Sequence, residues 1–192
     1  MCHYITGLLS PDADSSSVRR FAKAHLLKWE RMEKHSLQST LREGETYYLT
    51  TRGTCDCGTS LGILHDDERP EPDYERKKKK LRKKRWSDQK IERWIEDKRR
   101  DLEKAMDRNT HHLSNPPIEV VHWLRLISDV LDAKAASYVG LLKHWYNGLI
   151  ETERINIVDR RWIPYKDLDH EYLLRADEDV IHTFCLHECV KK

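Results

Sequence analysis

Apolar residues change their spacing several times along this chain, and each change predicts an element. Residues His3 to Leu9 (HYITGLL) are rich in β-formers and stop at Ser10-Pro11, which reads as a first strand starting almost at the amino terminus. The period then lengthens. Val18, Phe21, Ala22, His25, Trp29 and Met32 recur at helical spacing behind cap residues at Asp14 and Ser15 to Ser17, predicting one helix whose apolar stripe packs on the sheet. Glu45 to Thr51 (ETYYLTT) follows the turn signal at Gly44 and reads as a second strand. It runs into a segment with three glycines, Arg52 to Gly62 (RGTCDCGTSLG). His65 to Asp73 (HDDERPEPD) is acidic and contains proline, marking an exposed linker.

The next pattern is helical with little apolar content. Tyr74 to Arg85 offers only Leu81 to a core, whereas Ile91, Trp94, Ile95, Leu102 and Met106 give a clear apolar face behind a cap at Ser87, down to about Arg108. Together these make a helical hairpin inserted over residues 74–108. Asn115-Pro116-Pro117 opens another helix, with Val120, Trp123, Leu124, Ile127, Val130 and Leu131 on a broad buried face. Ser137 to Tyr146 (SYVGLLKHWY), ending at Asn147-Gly148, reads as a strand, with a helix continued through Ala133 to Ala136 as the rival. Pro164 opens a short helix around Leu168 to Leu174, and Val180 to Phe184 makes the last strand. The expected fold is α+β: one domain over residues 1–192, a four-stranded sheet with helices packed on one face, and the basic hairpin inserted.

Composition narrows the class. The chain has 192 residues, 38% apolar and 35% charged, with six Trp and eight Tyr, which is globular and sized for one core. No apolar run nears the ~20 residues of a spanning helix, and Ile5 to Leu9 is too short for a secretory core, so a cytoplasmic protein with no membrane partner is expected. The net charge of +2 hides a local extreme: Glu75 to Arg85 reads ERKKKKLRKKR. Lys77, Lys78, Lys79, Lys80, Arg82, Lys83, Lys84 and Arg85, beside Trp86, are candidates for contact with nucleic acid or a protein partner. A solvated helix balanced by nearby carboxylates is the plainer alternative.

Five cysteines without an export signal argue for free thiols, a metal site or one reactive Cys rather than a disulfide framework. All lie at predicted strand ends, in company with histidines. A subset of four among Cys2, His3, Cys55, Cys57, Cys185, His187 and Cys189 would suit a structural zinc, since thiolate and imidazole are its preferred ligands. Topology decides which can meet. Parallel first and second strands would hold Cys2 ~15–20 Å from Cys55, whereas an antiparallel pair lets the cysteines converge. An antiparallel last strand beside the first would bring Cys2 and His3 to Cys185, His187 and Cys189.

Cys2 also supports a catalytic alternative. Removal of Met1 would set its thiol beside a free α-amine able to act as base. Met1-Cys2 followed by a strand, with Asn147-Gly148-Leu149-Ile150-Glu151, resembles class II glutamine amidotransferases, and the resemblance implies an N-terminal-nucleophile hydrolase or amidotransferase with oxyanion donors at the Asn-Gly segment. Only Arg52-Gly53 echoes that family's arginine motif, and His3 stands where the family has a small residue. His25, His122 and His144 fall on apolar faces as core histidines, and His111-His112 in a loop. Phosphate-loop, dinucleotide, serine-elbow and HExxH motifs are absent. Three functions stand: a small binding protein of bacterial type with a zinc site and a basic arm, the Cys2 hydrolase, and an immunity-type accessory that occludes a partner.

Overall fold

A computed structural model describes residues 2–62, 74–100 and 117–186, apart from Gln38, Arg52, Gly58 and Arg85, with His35 and Arg76 by backbone alone. The chain forms two compact units, residues 1–64 with 116–192, and residues 65–115. The first unit is α+β. Its strands are β1 (Cys2–Leu9), β2 (Glu30–Arg31), β3 (Thr46–Leu49), β4 (Tyr138–Tyr146), β5 (Asp159–Pro164) and β6 (Val180–Cys185), and its helices α1 (Ser15–Ala24), α4 (Ile118–Asp132) and α5 (His170–Leu174). They make one mixed sheet of order β2-β3-β1-β4-β6-β5. The expected four strands are therefore six. The short β2 and the edge strand β5 are the additions, β5 pairing parallel to β6 where every other pair is antiparallel.

Two left-handed residues explain where helices stop. In α1 the Asp14 carboxylate accepts from the Ser16 and Ser17 N–H groups, as a cap residue should. The helix ends at Ala24, not near Met32, because Leu26 turns the chain at φ 58°. Trp29 then crosses the sheet instead of extending a helical stripe. Its indole stacks on Tyr48 with centroids 5.4 Å apart and lies 6.0 Å from Trp123 of α4. Gly7 makes room: a Cβ there would stand 2.4 Å from the indole. At the end of α4, Lys134 adopts φ 53° and Ala135 N–H bonds the Val130 carbonyl, so residues 138–146 enter the sheet as a strand.

Strand alternation assigns the faces. Gly7, Tyr48, His182 and Phe184 lie on the helical face, where Trp29 and Trp123 cover Tyr48, and Tyr172 of α5 meets His182 and Phe184 edge-on. Leu8, Tyr47, Leu142, Tyr146 and Ile181 point the other way. They are covered by largely irregular chain bearing Leu41, Ile150, Ile155 and Ile157, with Leu37 from one 3-10 turn, rather than by an α-helix. Both faces are thus dry, which accounts for β4 and β6 reading as nearly unbroken apolar runs.

The second unit contains α2 (Tyr74–Lys83) and a helix, α3, over residues 88–100. Ser87 caps α3 through the Lys90 N–H at 3.4 Å, and Ile91 and Ile95 are buried as the periodicity requires. Leu102, Met106, Arg108, the acidic segment 65–73, His111-His112 and Asn115-Pro116 lie outside the described residues.

Candidate functional site

The start of β1 is where the chemistry collects. β3 pairs with β1 only from Thr6 to Leu9, and the ladder ends where the Thr50 hydroxyl donates to the Ile5 carbonyl at 2.5 Å. The loop that follows takes over the vacated edge. Asp56 N–H donates to the His3 carbonyl at 2.8 Å, and Ile5 N–H donates to the Asp56 carboxylate at 2.7 Å. Thr51 donates to the same carboxylate oxygen, and Tyr4 OH to the Thr54 carbonyl at 2.6 Å. Burial pushes the Asp56 carboxyl up, against the hydrogen bonds from Thr51 and Ile5. Asp56 therefore works as a strand surrogate, and the residues on either side of it, Cys55 and Cys57, are delivered beside Cys2.

The sulfurs of Cys2, Cys55 and Cys57 all lie within 4.8 Å of one another. All three thiols are free, with Cys57 exposed and the other two half-buried. A tetrahedral zinc with Zn–S bonds of ~2.3 Å holds its sulfurs roughly 3.8 Å apart, so a small closure suffices. His3 N–H already donates to Cys57 Sγ at 3.1 Å. The Cys55 thiol is pulled below its ordinary range, first by the Cys57 backbone N–H and then by the Cys57 and Cys2 thiols. Cys2 is pushed up, first by its hydrogen bond to Cys55 and then by burial. The contacts among the three sulfurs thus shift Cys55 and Cys2 in opposite directions. Three cysteines close enough to hold a metal ion are the plain content of this site.

The other expected ligands do not join them. The His3 ring is on the opposite side of β1 from Cys2, bonded through Nε2 to the Glu178 carboxylate and edge-on to Trp145 at 4.4 Å. Cys185 is placed at the far end of the sheet by register. Cys2 faces Tyr146 and Cys185 faces Tyr138, eight residues along β4, roughly 27 Å at ~3.4 Å per residue. It is also disulfide-bonded, which removes it from the free thiols and metal ligands expected among the cysteines. His187 and Cys189 lie outside the described residues.

The catalytic alternative also meets geometry. The β1–β4 register does put Cys2 opposite Tyr146, one residue before Asn147-Gly148. Within that Asn-Gly segment, however, both backbone N–H groups point at the Glu153 carboxylate, Asn147 at 3.1 Å and Gly148 closer still. These bonds hold the Glu153 carboxyl below its usual range. Met1 and Arg52 lie outside the described residues. Nearby, His144 pairs through Nδ1 with Asp179, itself held at φ 59°. Lys34, buried and lowered by that burial, donates to the Ile150 carbonyl and sits 5.0 Å above the Tyr146 ring. His25, another of the histidines expected in the core, is half-buried and bonds Asp129 of α4 at 2.5 Å.

The basic segment is exposed. Lys77, Lys79, Lys80, Arg82 and Lys83 face solvent on α2 and Lys84 just beyond it, and Lys78 is half-buried beside Glu75 at 2.9 Å. Arg82 pairs with Asp88 at 2.8 Å, and Arg85 lies outside the described residues. Tyr74 and Trp94 receive cations from the partner helix, Arg99 at 5.5 Å and Lys77 at 6.0 Å. Sequence spacing does not reveal Asp56, Tyr4 and Thr51 as the groups that shape the sulfur site. The only local signal is the turn-forming run Asp56, Gly58, Thr59, Ser60, Gly62 around the cysteines. No helix among the described residues is long and apolar enough to cross a membrane. Compared with protein-family models, curated proteins and solved structures, the chain matches none.

Proposed function

We propose that this chain is a small metal-holding interaction protein. Cys2, Cys55 and Cys57 would supply three thiolates to a zinc-class ion, and the inserted basic hairpin would be the surface a partner meets. The observation that carries the metal reading is the convergence of three free sulfurs, contributed by two distant parts of the chain, within 4.8 Å. Sulfur ligands favour zinc over hard cations, and three of them leave a fourth tetrahedral position to water or a further donor. An ion there would tie the first strand to the loop after β3, a structural role. The Cys2 hydrolase is the weaker reading, because the Asn147 and Gly148 donors are engaged by Glu153. An accessory that occludes a partner has no observation of its own beyond the exposed arm.

Elemental analysis of protein purified without chelator should find one zinc per chain. Cys55→Ser and Cys57→Ser should each lose most of it, and Cys185→Ser should retain it. Cobalt substitution should give the intense thiolate charge-transfer absorption of a tetrahedral sulfur site. Metal-free wild-type protein that also fails to take up cobalt would overturn the proposal.

A further inference from the structure

The hairpin carries a feature that a merely solvated charged helix has no use for. Along α3, Trp86, Ser87, Gln89, Lys90, Arg93, Trp94 and Asp97 line a cavity of about 480 Å3. Two indoles line it, Trp86 just before α3 and Trp94 within it, with Lys90 and Arg93 between them in sequence. Both rings are half-buried. Lys90 Nζ stands 4.2 Å from the Trp86 ring centre, so a cation and a π-face are already presented together. Residues 74–100 hold fourteen Lys or Arg against five Asp or Glu. Three acids are spent locally, Glu75 on Lys78, Asp88 on Arg82 and Asp97 on Arg100.

We infer that this cavity is a binding site for single-stranded nucleic acid. Bases would stack on Trp86 and Trp94, while Lys90, Arg93 and the lysines of α2 meet the phosphates. The charge alone would draw any polyanion, including an acidic protein. The paired rings flanking two cations select for a ligand that alternates anionic groups with flat aromatic ones, and a single strand offers its π-faces as a duplex does not. The inference rests on the arm being a contact surface and is independent of the sulfur site.

The test uses the full chain and fluorescein-labelled oligo(U) and oligo(dT) of about a dozen nucleotides, within common single-strand site sizes. Duplex of matched length and heparin serve as the comparison polyanions. Anisotropy should show single strands bound more tightly than duplex, with log K falling linearly with log salt. Trp86→Ala and Trp94→Leu, which leave the charge unchanged, should each weaken single-strand binding about five- to hundredfold while leaving heparin binding unchanged. Circular dichroism confirms that the variants keep their helix, and Trp94→Leu retains an apolar side chain for the hairpin. Binding that treats heparin, duplex and single strand alike and ignores the tryptophan substitutions would overturn the inference while leaving the arm as a general anionic contact surface. Absence of binding to all probes at low salt would overturn both.

Discussion

Gly62 is the residue on which the position of the sulfurs turns. A Cβ on it would stand 1.9 Å from the Asp56 carbonyl oxygen, a backbone atom that cannot swing aside. That carbonyl accepts from both Thr59 N–H and Thr59 Oγ1 at 2.9 Å, and Gly62 N–H closes the turn on Thr59. Gly62→Ala must therefore displace either the turn at Thr59 to Gly62 or the Asp56 peptide that it meets, and in the second case Cys55 and Cys57 with it. The expected cost is about 1–3 kcal/mol in urea unfolding, typical of overpacking, together with a weakened metal affinity in chelator competition. Gly53→Ala is the matched control, since its Cβ would meet nothing nearer than the Cys55 carbonyl at 3.9 Å, and it should stay within about 0.5 kcal/mol of wild type. Equal behaviour of the two variants would mean that the loop does not fix the cysteines.

At the scale of elements, the least legible strand is held by the most buried ion pair. β5 (DRRWIP) shows no apolar alternation because its outward and inward positions both carry charge, yet it caps the sheet edge in parallel with β6. What holds it is Glu45, whose side chain is 0% exposed and whose two oxygens take Arg160 NH1 and NH2 at 2.6 and 2.8 Å. Tyr138 OH donates to the same carboxylate at 2.7 Å, and Arg42 lies 4.4 Å from the Trp162 ring. Burial alone would raise the Glu45 carboxyl, but the bonds from Arg160, Tyr138 and the Arg42 N–H outweigh it and the net shift is downward. Its stabilisation is thus complete above the ordinary carboxyl value near 4.3 and lost as pH falls through the lower, folded value. Glu45→Gln should cost about 3–5 kcal/mol at neutral pH, as breaking one partner of a buried pair does, and should flatten the acid limb of the stability curve. An unchanged acid limb in chemical denaturation across that range would remove Glu45 from the account. The same comparison shows what pattern can and cannot convey. β1, α4, β4 and β6 were readable because their spacing is set by burial next to them in the chain. The carboxyl-terminal end of α1, the edge strand β5 and the covering of the second sheet face were not: the first turns on the left-handed Leu26, and the other two on Glu45 meeting Arg160 and on Leu37, Ile150 and Ile155 meeting strands distant in sequence. The sulfur cluster was half legible: the sequence allowed seven candidate ligands, and only the antiparallel β1–β3 pairing selects Cys2, Cys55 and Cys57 among them.

For the molecule as a whole, the two units differ in what holds them. The sheet unit buries apolar side chains on both faces, including Leu8, Leu126, Leu142 and Phe184 at 1% exposure or less. Among the described residues of the hairpin unit only Ile91 and Ile95 are buried, and its ion pairs are solvent-exposed, a kind worth little in water. On these described contacts alone the hairpin would sit near the margin of stability, whereas the β1–β4 ladder, buried on both faces, is expected to open only with the global transition. Hydrogen exchange followed by mass spectrometry should therefore show amides of α2 and α3 exchanging orders of magnitude ahead of those in β1 and β4. If the cavity on α3 takes single strands, a ligand bound there is linked to the folded hairpin and not to its opened form. Oligo(U) at about a hundred times its dissociation constant should then slow exchange in α3 by roughly a hundredfold. Exchange in β4 should stay unchanged, because the linkage acts on local opening of the hairpin. Slow exchange in the free hairpin, equal to that of β4, would show that the arm draws stability from more than its described apolar contacts, and a uniform response of both units to oligo(U) would place the binding site elsewhere.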